Sequence, residues 1–269
     1  MILARSLLAL ALAAALAGCM SESNESEAAA PQADAMASDA MAATDGMAAD
    51  AMASDAMAGD DAMAAKLEPA RYEVVFSSRW TEKDHPLDYP GPKYAGLSVA
   101  HFSPIIGASH APGYALFAEG AVPSPGLEAL SEMGKHQPLD MEIKAAMAAG
   151  SVLALLENDA PLKDHSQSLT AEVGVDGAHP RVSLVAMIAP SPDWFAGVKD
   201  VDLVQDGQWV AEKTVDLLPY DSGGDDGDTF RADDKDTRPK KPTALQSANP
   251  HFVVDGKLLP VASVTFRKL

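Results

Sequence analysis

Three features of the chain predict an all-β fold, an antiparallel β-sandwich with short helices in its connections and a disordered tether ahead of it. From Leu67 onward, aromatic and β-branched runs are broken by Pro and Gly, as short strands and frequent turns require. The closing segment alternates: Ala262, Val264 and Phe266 share one face, and Val261, Ser263, Thr265 and Arg267 share the other. Helical periodicity is confined to two short stretches, which favours a sandwich over an α/β enzyme fold.

Strands are expected at residues 72–77, 113–119, 168–176, 182–189, 209–213 and 261–267. Leu127, Leu130 and Met133 mark a helix stopped by Gly134, and residues 141–149 read as a second, with Asp140 near its start and Gly150 past its end. Residues 67–269 therefore form one domain of about 200 residues, long enough for one substantial core. Trp80, Trp194 and Trp209 are expected in that core, where a ligand platform would require one of them to be exposed. His101, His110 and His179 read first as core or turn residues.

Ahead of the domain the texture is different. Residues 1–18 read as a signal peptide, with Arg5 before an apolar run over residues 7–16 that is shorter than the ~20 residues a spanning helix needs. Leu16-Ala17-Gly18-Cys19 has the spacing of a bacterial lipobox. Cys19 is the single cysteine, so it has no partner for an internal disulfide, and it is expected to carry the lipid that holds the chain on a membrane. Met20 stands where an aspartate would signal inner-membrane retention, which places the expectation at the bacterial outer membrane, facing either the periplasm or the outside.

Residues 19–66 are an Ala/Met/Asp-rich stretch with no aromatic residue and no β-branched residue except Thr44, a composition that reads as a low-complexity spacer. Met36, Met41, Met47, Met52, Met57 and Met63 recur in steps of five or six, but copper capture by methionine usually draws on His or Cys nearby.

A net charge of -19 and a pI near 4.5 exclude nucleic acid as a partner, because the summed potential repels phosphate backbones. The one basic run, Arg238-Pro239-Lys240-Lys241, lies beside Asp233, Asp234 and Asp236 and reads as a solvated loop. No Gly-x-Ser-x-Gly, His-Glu-x-x-His, phosphate-binding loop or paired-cysteine motif occurs, so the chain is read as a non-enzyme. Ser109-His110 is expected to be a turn, since neighbours on a strand point to opposite faces and share a proton poorly.

The most informative local chemistry is the acidic loop carrying Asp221, Asp225, Asp226 and Asp228 among Gly223, Gly224 and Gly227. Clustered carboxylates repel one another unless a cation or water screens them, and Ca2+ takes six to eight oxygens of the kind such a loop presents. A solvated acidic turn is the alternative.

Pro190-Ser191-Pro192-Asp193-Trp194-Phe195, then Gly197-Val198, then Leu217-Leu218-Pro219-Tyr220-Asp221-Ser222-Gly223-Gly224-Asp225 resemble the spondin N-terminal domain family, whose members carry Pro-Ser-Pro-Asp-Trp and Tyr-Asp-Ala-Gly-Thr-Asp. Tyr72 to Phe76, Trp80, His85-Pro86, Phe102 to His110 and Gly126-Leu127 follow the family's order. The resemblance implies an antiparallel sandwich similar to calcium-dependent membrane-binding domains, and a non-catalytic role in adhesion towards a protein or glycan ligand. It also implies a divalent-cation site, calcium by its donors, at Asp193 and Asp221, with Asp225 beside them. A third acidic ligand of one branch falls on Gly174 here, so Asp176, or Glu172, is expected to substitute. Ser222 for Ala is expected to be mild, and Gly224 for Thr to loosen the loop. Integrin and microbial-surface binding do not carry over, because the thrombospondin-type repeats are lacking.

Overall fold

The computed structural model describes residues 67–91 and 100–269. The chain divides into two units, Met1–Asp45 and Gly46–Leu269, and every described residue belongs to the second. Cys19, the signal peptide and the spacer lie outside the described residues. Among the described residues no helix is long and apolar enough to cross a membrane.

In chain order the domain runs β1 (Ala70–Ser78), β2 (His101–Phe102), β3 (Ile106–His110), α1 (Pro125–Met133), α2 (Leu139–Ala148), β4 (Val152–Glu157), β5 (Ser168–Val175), β6 (Arg181–Ala189) and β7 (Trp194–Asp202). It continues through β8 (Val204–Gln205), β9 (Gln208–Trp209), β10 (Glu212–Asp221), β11 (Ala244–Leu245), β12 (Val253–Val254), β13 (Lys257–Leu258) and β14 (Ala262–Lys268). The strands order as β4-β3-β6-β7-β10-β14-β1-β5, antiparallel throughout, and β4 lies alongside β5, so the sheet nearly closes into the expected sandwich.

The corner is β10. Residues up to Leu217 pair with β14, and those from Leu218 pair with β7. Pro219, which has no N–H for a ladder, stands just past this change of partner. One strand thus belongs to both layers, and it ends on Asp221.

Tyr72, Phe76, Trp80, Phe102, Trp194 and Phe266 fill the space between the layers. Full burial of such side chains contributes about 1.5–3 kcal/mol each. A second cluster, including Phe117, Leu127, Leu130, Ile143, Phe195 and Tyr220, lies where α1 covers the outer face of β6 and β7 and α2 covers that of β3 and β4. Strands β6 and β7 are covered on both faces, so their sequence does not alternate.

Several expected elements differ. Residues 113–119 form an irregular segment rather than a strand, bounded by Gly113 and Gly120 at φ 89° and 81°. Leu116 and Phe117 are buried there as adjacent neighbours, with Phe117 packed on Phe195 and Tyr220, an arrangement a strand's alternation forbids. The strand expected at 209–213 splits: Trp209 ends β9, and Glu212 opens β10. Ser109 and His110 lie in β3, not in a turn. His110 Nε2 instead meets Ser183 Oγ at 2.8 Å, both fully enclosed, and burial lowers the His110 pKa. This serine and histidine have no path to a substrate.

Candidate metal centre

Asp193 closes the turn between β6 and β7, and Asp221 pairs in register with Trp194, so one of the two aspartates named from sequence immediately precedes β7 and the other ends the neighbouring β10. The Ser222 amide donates to the Asp193 carbonyl at 3.2 Å and ties the acidic loop to that turn. Asp193 is fully buried. Its Oδ2 accepts from the Ser222 hydroxyl at 2.9 Å, the Gly224 amide at 2.7 Å and the Asp225 amide at 3.2 Å. Its Oδ1 has no partner among the described residues.

Asp221 accepts from the Gly223 amide at 2.8 Å and from Gln246 Nε2 at 3.3 Å. The Trp194 indole is near enough to lower the Asp221 pKa, yet its N–H has no partner at hydrogen-bonding distance. Burial dominates: it pushes Asp193 above the ordinary carboxylate range and, with the Asp193 charge, raises Asp221 to about 6. Neither forms a salt bridge among the described residues.

The helix α1 supplies what sequence reasoning missed. Ser131 donates to Ser222 Oγ at 2.9 Å, so a buried chain of hydroxyls runs from the helix to Asp193. Glu132, one turn after Glu128, is pushed to about 7 by burial first, then by the Glu128, Asp193 and Asp225 charges. The Asp193 charge thus acts on Asp221 as well as on Glu132. A recess of about 280 Å3 beside it is lined by Glu132, Ser191, Pro192, Asp225 and Asp234.

Asp176 is not part of this group. Its Oδ1 accepts from the Ala178 and His179 amides and meets His179 Nδ1 at 2.8 Å, closing the turn that leads into β6 at Arg181. Arg181 pairs with Asp202 and Met187 with Phe195, so Asp176 and Asp193 flank opposite ends of β6, about 26 Å apart at 3.3 Å per residue. Glu172 is paired with Arg71. Asp225 lies at the site through its amide, while its carboxylate caps the amides of Gly227 and Lys235 at 2.6 and 2.5 Å.

The basic run, expected as a solvated loop, keeps Arg238 and Lys241 exposed but draws Lys240 inward. Lys240 Nζ bridges Glu128 at 2.8 Å, Asp236 at 2.5 Å and the Gly224 carbonyl at 3.1 Å, and Lys241 pairs with Asp226. It forms a strap over the acidic loop. The amide of Lys241 donates to the Gly223 carbonyl at 2.9 Å, and a β-carbon on Gly223 would stand 2.1 Å from the Lys241 carbonyl. With φ at 91° as well, that position demands glycine.

The Spondin_N family matches residues 70–252. The chain belongs to the spondin N-terminal family. Spondin-2 of Rattus norvegicus is 32% identical over 209 residues, and that of Homo sapiens 33%; each match covers 74% of this chain and 62% of the relative. Spondin-1 of Xenopus laevis is 32% identical over 212 residues, covering 74% of this chain and 25% of that protein. This chain thus spans less than two thirds of the length of these spondins.

Against the spondin pattern, both departures in the loop have structural consequences. Ser222 adds a hydroxyl that joins Ser131 to Asp193. Gly224 is tied into the loop through its backbone: its amide holds Asp193, and its carbonyl holds Thr237 and Lys240. A β-carbon there would lie 2.6 Å from a Glu132 carboxylate oxygen, so this spondin domain's glycine leaves room for Glu132.

The donor set fits a hard cation in part. One buried carboxylate oxygen has no partner, and a second carboxyl, that of Asp221, is raised to about 6 by burial and then by the Asp193 charge. Among the described residues no three His, Cys, Asp or Glu side chains converge as ligands. A cation would complete its shell with carbonyl, hydroxyl or water oxygens.

Proposed function

We propose that this protein is a lipid-anchored, non-catalytic recognition module of the bacterial cell envelope, held by Cys19 and displaying its sandwich towards a protein or glycan ligand. A divalent cation, Ca2+ by its oxygen donors, completes the Asp193–Asp221 pair and fixes the two loops at that end of the sandwich. The observation that carries the reading is the enclosed, unpartnered Asp193 Oδ1 beside a second carboxylate with no salt bridge among the described residues. Leaving a buried acceptor unpaired costs about 1–3 kcal/mol, more when it is charged, and a bound cation removes that cost.

The test is thermal melting of the full chain with Cys19 replaced by Ala, in calcium and in chelator. Calcium at a hundred times its Kd should add about 2.7 kcal/mol of stability, and Asp193→Asn should abolish the gain. A parent that melts identically in both buffers sinks the cation.

A metal-free envelope scaffold is the second reading, and the Lys240–Lys241 strap favours it, because it pairs Asp226 of the loop and the neighbouring Asp236 and Glu128 from within the chain. Pull-down of envelope components separates the two: capture that requires calcium supports the first reading, and capture indifferent to chelator supports the second.

A further inference from the structure

Trp80 and Trp194 are 0% and 1% exposed, but Trp209 is only half-buried. Its indole N–H donates to the Glu68 carbonyl at 2.8 Å, and its ring meets Tyr72 edge-on at 6.4 Å, so the ring is held in one orientation. It lines an open groove of about 420 Å3 together with Gln205, Asp206, Gln208 and Glu212.

The groove is built on a rigid hairpin. Asp206 and Gly207 both have positive φ, 52° and 70°, as a two-residue type I′ turn requires. That turn sets Gln205 directly across from Gln208. The Gln205, Asp206 and Gln208 side chains make no hydrogen bond within the described chain, while Glu212 is fixed by Arg267 at 2.8 Å. A fixed aromatic ring bordered by two free amides and the free Asp206 carboxylate matches the chemistry of a sugar, which offers a C–H face for stacking and paired hydroxyls for hydrogen bonding. Two carboxylates in a chain of net charge -19 disfavour sulfated, phosphorylated or uronic ligands.

We propose that this groove is a saccharide-binding site for a neutral or N-acetylated oligosaccharide, with Trp209 as the stacking platform and Gln205, Asp206 and Gln208 as the groups that hold hydroxyls. The proposal deepens the reading of the domain as a recognition module but is independent of the cation. The groove flanks Glu212 at the start of β10, and the carboxylate pair lies at Asp221 at its end, about 30 Å away at 3.3 Å per residue.

The experiment titrates the full chain carrying Cys19→Ala with oligosaccharides of glucose and of N-acetylglucosamine, and with a sulfated glycan. Titrations are run with calcium and with chelator, and read by calorimetry and tryptophan fluorescence. Because the other two indoles are enclosed, a spectral shift reports on Trp209. Saturable binding of a neutral or N-acetylated oligosaccharide is expected, weakened about tenfold or more in Trp209→Ala and in Gln208→Ala, and unchanged in Asp193→Asn or chelator. Gln208→Ala guards against a misfolded tryptophan variant, since its side chain bonds nothing else in the described chain. The site is overturned if no neutral or N-acetylated oligosaccharide saturates, if only the sulfated glycan binds, if affinity survives both groove variants, or if binding needs calcium and Asp193. Sugar binding without any calcium-dependent melting shift would sink the cation alone.

Discussion

Asp226 and Asp236 sit in the open, each against a lysine, and those hydrogen bonds hold their carboxyls below the ordinary range. Asp193, fully buried in the turn before β7, and Asp221, half-buried at the end of β10, have no salt-bridge partner among the described residues and are held above it. The residue type is the same and the direction is opposite. By count, the glycine-rich loop is the obvious cation site, yet Asp226 is already answered by Lys241, and Asp236 beside the loop by Lys240. The unanswered charge lies with Asp193 and Asp221, where desolvation outweighs the donors the chain supplies, those of Ser222, Gly224 and Asp225 at Asp193 and of Gly223 at Asp221.

The largest effect should come from breaking the buried side. Asp193→Ala strands three donors at once, those of Ser222, Gly224 and Asp225, and should cost about 3 kcal/mol in urea unfolding in the presence of calcium. Asp193→Asn keeps an acceptor for the loop and should cost less, although it loses the calcium response. Equal losses in the two variants would mean that the charge, rather than the acceptor, holds the loop.

Next in size is a gain. In chelator Asp221 titrates near 6 in the folded chain and near 4 unfolded, so between those pH values the folded state keeps a proton that the unfolded state has released. Stability from this group is therefore full below about pH 4 and falls as pH rises to about 6, then levels off. At 1.36 kcal/mol per unit this is at most about 3 kcal/mol. Asp221→Asn in chelator at pH 7.5 should recover about 2 kcal/mol of it, the remainder being lost with the Gln246 contact. Urea unfolding across pH 4–8 checks the slope, and an unchanged slope in the variant would refute the assignment to Asp221.

Smaller again is Ser222→Ala, which installs the residue of the family's pattern and removes the hydroxyl between Ser131 and Asp193. About 1 kcal/mol should be lost, because Asp193 keeps two amide donors. No loss would show that Ser222 is a tolerated neighbour and not a part of the site.

What could be read in advance follows the same division between one-sided and enclosed positions. β14 was legible because Ala262, Val264 and Phe266 are buried while Thr265 and Arg267 reach outward. β7 was not, because Trp194 and Ala196 face the inter-layer core while Phe195 is covered on the helix side, which erases the period of two. Most of β10 was hidden by Pro219 and by the change of partner after Leu217. Asp193 and Asp221 came from family resemblance, and the register of β7 against β10 shows them adjacent. Asp176 failed because strand parity fixes a face and says nothing of position along the strand. Glu132 did leave a trace: two glutamates four apart on a short helix repel unless something outside screens them, and Lys240 is that screen. Pairing a far-off Lys with them needed coordinates.

The smallest predicted effect bears most directly on whether the two kinds of aspartate differ. Lys241 is 63% exposed and faces Asp226 across open solvent, where both ions stay hydrated and salt screens their attraction. Lys241→Met should leave the melting temperature within experimental error in chelator and in calcium alike, while its backbone still anchors the strap through the Gly223 carbonyl. If the variant instead gained a larger calcium response, Asp226 would be a cation ligand that the lysine had been masking. The exposed acids of the loop would then belong to the same site as the buried pair, and the contrast between them would fail.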